Sequence, residues 1–219
     1  MAPSPEGILN GLTVIANEWA SAAVVWHLAF AGALVALLCG WRPSNRVGGY
    51  LLAAPFLTVS TAAWVSGNPF NATVFAALLL ALTGAARRLS NDHVRVAPPK
   101  FFVPGALLVA FGWGYPHFLE TDSWMTYLYA APLGLLPCPT LSAAIGVTLM
   151  LSLLASRPWS IALALAGLIY GAVGVFVLGV QLDYLLLAGA VALVAAVRTW
   201  TPVSSTRARR QDCNEKTLA

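Results

Sequence analysis

The chain has 219 residues, of which 59% are hydrophobic and only 9% are charged, and its mean hydropathy is +0.77. Soluble domains have an apolar fraction nearer one half, so the composition excludes an ordinary soluble protein and favours a multi-pass membrane protein. The net charge of +4 does not indicate nucleic-acid binding, because that role needs clustered basic and aromatic residues on one folded surface.

Apolar runs of membrane-spanning length recur along the chain, each near the roughly 20 residues that a spanning helix needs. Residues 6–16 are mildly amphipathic and fit either an interfacial helix or an extension of the first span. We expect an all-α polytopic membrane helix bundle formed by residues 1–198. Its seven predicted spans are 18–40, 49–67, 70–86, 101–119, 138–156, 159–180 and 182–198. The tail, 199–219, has no apolar periodicity and is predicted to be a disordered basic cytoplasmic segment.

The charged residues are segregated between alternate connections. All 12 Lys and Arg residues lie between spans one and two, three and four, or five and six, or in the tail. The remaining connections and their flanks contain acids, including Glu18, Glu120, Asp122 and Asp183. Because cytoplasmic loops retain Lys and Arg, we predict an inner-membrane protein with its N-terminus outside and its C-terminus in the cytoplasm. An even number of spans would break this segregation.

The connection between spans four and five contains the stretch YPHFLETDSWMTYLYAAPLGLLPCPT, residues 115–140. Its part 124–136 is too short to cross the membrane and too apolar for an exposed loop, which predicts a re-entrant or interfacial segment at the outer side. Pro139 suits the first turn of span five, so Cys138 is placed at a helix N-terminus. Unpaired N–H groups there favour a thiolate and raise its reactivity.

Four residues of this stretch are candidate metal ligands, because helical rise counted from the nearest basic residues brings them to the outer boundary. His117, Glu120, Asp122 and Cys138 offer imidazole, carboxylate and thiolate donors, which suit zinc or copper. None of the spacings CxxC, HxxxH or HExxH is present. A second interpretation is that the histidine and the acids cap helix ends, and that Cys138 is a small apolar residue between prolines.

Three further residues are candidate ligand-binding groups. His27 is predicted in the outer half of the first span, where an ionisable side chain suggests a proton relay or a haem ligand. A neutral imidazole that is hydrogen-bonded to a neighbouring helix is the alternative. Glu18 lies at the mouth of that span, and Asp183 opens span seven as a coupling carboxylate or a helix cap. A bis-histidine haem is not expected, because neither of the other two histidines is deep in the membrane.

Small residues at positions i, i+4 and i+7 of span six, Gly167, Gly171 and Gly174, allow another helix to approach closely. This face fits packing within the bundle, and it also fits a homo-oligomer or a partner in a membrane complex.

Three classes of function remain open. The first is a small permease or a ligand- or ion-binding bundle with an outward-facing polar site. The second is a metal-dependent or thiol-redox membrane enzyme, and the third is a non-catalytic subunit held in a larger complex. The sequence favours the first class, because intramembrane polar groups and polar groups at the outer mouth coincide on one side.

The patterns IANEW, NPFNATVFA, YPHFL and PLGLLPCPT together resemble a bacterial family of multi-pass inner-membrane proteins that is catalogued as a domain of unknown function. The similarity covers most of residues 10–200, and its most specific element is the tetrapeptide PCPT. The resemblance implies a location in the inner membrane and no particular chemistry.

Overall fold

The computed structural model describes residues 4–151 and 156–199, and this part of the chain is helical, without a β-strand. A short 3₁₀ turn at Trp124–Thr126 precedes α7. The helices are α1 (Pro5–Glu18), α2 (Ala20–Leu38), α3 (Asn45–Ala53), α4 (Pro55–Val65), α5 (Pro69–Arg87), α6 (Pro99–Trp113), α7 (Tyr127–Ala130), α8 (Pro137–Met150), α9 (Arg157–Phe176) and α10 (Asp183–Thr199).

Four helical segments of the described part are long and apolar enough to cross a membrane. They are α2, α3 together with α4, α5 and α9, with lengths of 19, 21, 19 and 20 residues. Helices α6 and α8 are apolar but shorter, at 15 and 14 residues. The expectation of an all-helical bundle with several membrane-length helices is confirmed, whereas the count of seven spans stays a prediction.

The second predicted span, 49–67, is two consecutive helices rather than one. The Ser44 side chain accepts a hydrogen bond from the Val47 backbone N–H and starts α3 earlier than hydropathy suggests. The chain is interrupted at Ala54, and Pro55 begins α4. Proline has no N–H to donate to the preceding turn, so it suits a helix start and breaks a continuous helix.

The fourth predicted span, 101–119, is wrong at its outer end, because α6 stops at Trp113. Gly114 and Pro116 follow, and Phe118 has a left-handed backbone with φ of 71°. Non-glycine residues rarely adopt this conformation, so it ends any helical continuation. The chain from Gly114 to Leu136 is therefore a long irregular connection that contains only the 3₁₀ turn and α7.

Helix α8 is the centre of the bundle, and most of its side chains are buried. It packs against α6, α9 and α10, while α5 packs on α4 and α9. The backbones of α6 and α8 touch: a Cβ added at Gly105 would lie 2.5 Å from the Gly146 carbonyl oxygen, and one at Gly112 would lie 2.5 Å from the Pro139 carbonyl oxygen. Glycine at these positions permits the close approach.

The two ends of the bundle differ in charge. At one end, here called the basic end, the start of α6 lies beside the end of α8, since Ala97 N–H donates to the Met150 carbonyl. Arg46 donates to the Leu89 carbonyl at the same end. The opposite end, here called the site end, contains the end of α6, the start of α8, the end of α9 and the start of α10. Four acids lie at or near the site end: Glu18, Glu120, Asp122 and Asp183.

The connection before α8 has an exposed half and a buried half. Trp124, Met125 and Tyr129 are exposed, whereas residues 130–137 are buried. Trp26 of α2 donates through Nε1 to Thr58 Oγ1 at 2.9 Å, and Thr58 donates to the Gly134 carbonyl at 2.5 Å. Gly134 has a φ of +77°, and its Cα faces the Trp26 indole without room for a Cβ. The predicted re-entrant or interfacial position of this segment in a membrane stays a prediction.

The glycine face of α9 is covered within the chain. Gly167 packs against Ile145 and Ala190, and Gly171 lies against the Leu187 backbone, where an added Cβ would be 2.9 Å from Leu187 N. Packing inside the bundle, the first of the two interpretations of this face, is what the structure shows. A homo-oligomer or a partner in a membrane complex stays a prediction.

Candidate functional site

The site end contains a buried carboxylate with two side-chain donors. Asp183 is 1% exposed. The Tyr115 hydroxyl donates to Asp183 Oδ1 at 2.9 Å, and the Cys138 thiol donates to Asp183 Oδ2 at 3.1 Å. These three residues are called the Asp183 cluster. A buried polar group costs free energy unless it is hydrogen-bonded, so the two donors are what make this burial tolerable.

Breaks between helices bring the cluster together. Tyr115 follows the end of α6 by two residues, Cys138 is the second residue of α8, and Asp183 is the first residue of α10. Gly174 of α9 closes the fourth side, because a Cβ there would overlap the Asp183 carboxylate. The tight turn between α9 and α10, in which Val180 N–H donates to the Gly174 carbonyl at 2.8 Å, holds Asp183 in this place.

A second buried hydrogen bond lies in the core between α5 and α9. The Tyr170 hydroxyl donates to Asn71 Oδ1 at 2.9 Å. In the described part of the chain, no hydrogen bond between side chains joins this pair, or the half-buried His117, to the Asp183 cluster.

The charge balance of the Asp183 cluster is unusual. Among the described residues, no Lys or Arg side chain forms a hydrogen bond with Asp183, and its two bonded neighbours are uncharged donors. An ionised carboxylate inside an apolar bundle needs a positive charge or a proton to offset the cost of leaving water. The cluster can therefore hold a proton or a small cation, and the hydroxyl and thiol groups can reorient as its occupancy changes.

His27 occupies a separate position, on α2. It is 3% exposed, and its Nδ1 and Nε2 lie 2.8 Å from the Ala23 carbonyl and 2.9 Å from the Trp113 carbonyl. Since a neutral imidazole donates from only one nitrogen, the tautomer decides which of the two carbonyls accepts. His27 joins α2 to the helix end that presents Tyr115.

The predicted metal ligands are placed apart from one another. Glu120 and Asp122 are exposed, and the Glu120 backbone N–H donates to Asn17 Oδ1 at 3.0 Å. His117 and Cys138 instead flank Asp183. In residues 4–151 and 156–199, no three His, Cys, Asp or Glu side chains form a group that could hold a metal ion. The zinc or copper prediction has no support from this geometry. Glu18 is exposed at the end of α1 and does not join the cluster.

Cys138 has a partner that the sequence did not predict. Its Sγ lies 3.1 Å from Asp183 Oδ2, where a thiol donates to the carboxylate. The thiolate expected at the helix N-terminus stays a prediction. Cys39, which is exposed, and Cys138 are both free cysteines.

Sequence analysis did not identify Tyr115, Tyr170 and Asn71 as site residues. Each is a side chain with a polar group inside an apolar predicted span, and that is the signal that could have marked them. Hydropathy hides it, because a tyrosine counts as apolar while its hydroxyl needs a partner once buried.

No family model, curated protein or solved structure matches this chain. The resemblance to the bacterial inner-membrane family that carries the PCPT motif therefore stays a prediction.

Proposed function

We propose that the protein is a multi-pass inner-membrane permease or ion-binding bundle for a small cationic solute, with Asp183 as the residue that binds the cation or the proton exchanged for it. One observation supports this function most strongly: Asp183 is 1% exposed and accepts hydrogen bonds only from uncharged side chains among the described residues. A structural carboxylate would be expected to pair with a basic side chain or to reach solvent.

The proposed topology has seven spans, with the site end outside and the basic end in the cytoplasm. Helices α6, α8 and α10 are short for spans, but each lies against longer neighbours, and buried short helices are tolerated where other helices surround them. The segregation of basic residues supports the orientation, since cytoplasmic connections retain Lys and Arg.

Cysteine labelling tests this topology. A chain whose one cysteine is introduced by Ser123→Cys should react with a membrane-impermeant maleimide in intact cells, because Ser123 is exposed at the site end. Chains that retain only Cys39, or only Cys213, which lies outside the described residues, should react only after permeabilisation. Labelling of Cys39 in intact cells would contradict the orientation, and opposite behaviour of Cys39 and Cys213 would contradict the span count.

Ligand-dependent thermal unfolding tests the function. Purified protein is heated with lithium, sodium, potassium or small alkylammonium ions, and one of these classes should raise the unfolding temperature. At about 100 times the dissociation constant, binding adds about 2.7 kcal/mol, which corresponds to roughly 5–10 °C for a chain of this size. Asp183→Asn should abolish the shift, whereas Glu120→Gln, which changes an exposed carboxylate at the same end, should retain it.

A thiol-redox enzyme is the second candidate, because a carboxylate beside a thiol can act as its general base. Cys138→Ser separates the two candidates in the same assay. The serine hydroxyl still donates to Asp183, so cation binding should persist within a few fold. A wild-type protein that no ion stabilises, or an Asp183→Asn variant that keeps its shift, would remove the permease proposal.

A further inference from the structure

An apolar groove runs along the outside of the bundle between α9 and α10, near the basic end. Its volume is about 270 Å³, and its walls are almost wholly apolar. Ile161 and Leu165 line it and are 49% and 55% exposed, so the groove opens to the surroundings of the bundle. In a bilayer, lipid acyl chains are what fill such a groove.

The groove ends at a basic side chain. Arg198, in the last turn of α10, is exposed and contributes to the lining. The structure assigns it no carboxylate partner within the described residues. Arg157, at the first turn of α9, is exposed at the same end. An apolar groove that ends at the Arg198 guanidinium group complements a molecule with an apolar chain and an anionic head.

From the apolar groove and the arginine at its end we propose that the groove between α9 and α10 binds an anionic glycerophospholipid. The phosphate lies at Arg198, and one acyl chain lies along the groove past Leu165. The site is at the opposite end of the bundle from Asp183 and is independent of any transported solute. It depends only on the location of the protein in a membrane.

A second, smaller groove lies on the other side of α10 and is expected to bind the lipid less tightly. It has a volume of about 190 Å³, and Lys100 and Thr199 lie at its end. Since the Lys100 ammonium group lies 4.9 Å from the centre of the Phe101 ring, part of its charge is already engaged there. We therefore expect the first groove to bind the lipid more tightly.

Native mass spectrometry of the full chain in detergent tests the proposal. Phosphatidylglycerol should remain bound at activation energies that remove phosphatidylcholine of the same chain length. Arg198→Ala should weaken phosphatidylglycerol binding about fivefold, the effect typical of one basic residue at an anionic headgroup. Arg87→Ala is the matched control, because Arg87 is an exposed arginine in the last turn of α5 that lines neither groove.

A further arm tests whether binding needs the acyl chain. Glycerol phosphate, which has no acyl chains, should not compete even at millimolar concentration. Equal retention of the two lipids, an equal effect of Arg87→Ala and Arg198→Ala, or effective competition by glycerol phosphate would each overturn the proposal.

Discussion

Replacing Gly146 with leucine is expected to lower the free energy of unfolding by about 3 kcal/mol or more, because α6 and α8 have no space between them at this position. A Cβ at Gly146 would lie 2.5 Å from the Gly105 carbonyl oxygen and 2.8 Å from Val109 N. Both obstacles are backbone atoms, so relief requires the two helices to move apart. Even Gly146→Ala should cost about 1–3 kcal/mol despite the better helix propensity of alanine.

The matched control, Gly84→Ala, should change the free energy of unfolding in the opposite direction. Gly84 is also inside a helix, α5, but an added Cβ there would meet nothing within 4 Å. Gly84→Ala should therefore stabilise the protein, by up to about 1 kcal/mol, through helix propensity alone. Thermal unfolding followed by tryptophan fluorescence measures both variants. A stable Gly146→Leu protein, or equal behaviour of the two alanine variants, would contradict the backbone contact between α6 and α8.

A double variant refines this test. Gly105 and Gly146 occupy the same contact, so the first substitution already separates the helices. The second should then cost much less than it does alone, and the sum of the single effects should exceed the effect of Gly105→Ala with Gly146→Ala. Additive losses would place the two glycines in independent contacts.

Hydropathy and capping signals were enough to locate most helices, and they failed where backbone breaks override hydropathy. The predicted span 70–86 corresponds to α5, Pro69–Arg87, because Asn68 caps its start and basic residues follow its apolar run. The predicted span 101–119 runs past Trp113, since Tyr115, Phe118 and Leu119 are apolar by composition although they lie in an irregular connection. An average of hydropathy over a window does not detect a residue with a left-handed backbone, here Phe118, or a helix-breaking proline, here Pro116.

The candidate site shows a different limit. Counting residues from the basic ends put His117 and Cys138 near one end of the bundle, and the start of the predicted seventh span put Asp183 at the same end. It could not predict which helices are neighbours, so Cys138 was grouped with Glu120 and Asp122 rather than with Asp183. The neighbours depend on the packing of α8 between α6 and α10, which no single segment of the sequence encodes.

Removing the carboxylate of Asp183 should produce the largest effect at the site. Asp183→Ala leaves the Tyr115 hydroxyl and the Cys138 thiol without their shared acceptor, and it opens space against Gly174. Each buried donor left unpaired costs about 1–3 kcal/mol, so we expect a loss of about 2–4 kcal/mol after partial rearrangement. For a chain of this length the unfolding temperature should fall by roughly 5–15 °C.

Asp183→Asn separates this structural role from cation binding. The amide keeps the shape of the side chain and an acceptor oxygen for Tyr115, so the loss of stability should be about 1 kcal/mol or less. It removes the negative charge, so stabilisation by a cation should disappear completely. Glu120→Ala, at an exposed position of the same end, should change the free energy of unfolding by less than about 0.5 kcal/mol.

If Asp183→Ala were as stable as Glu120→Ala, the hydrogen bonds to Tyr115 and Cys138 would contribute nothing to the fold. If instead Asp183→Asn kept full cation stabilisation, Asp183 would be a buried structural acceptor, and the cation would have to bind elsewhere.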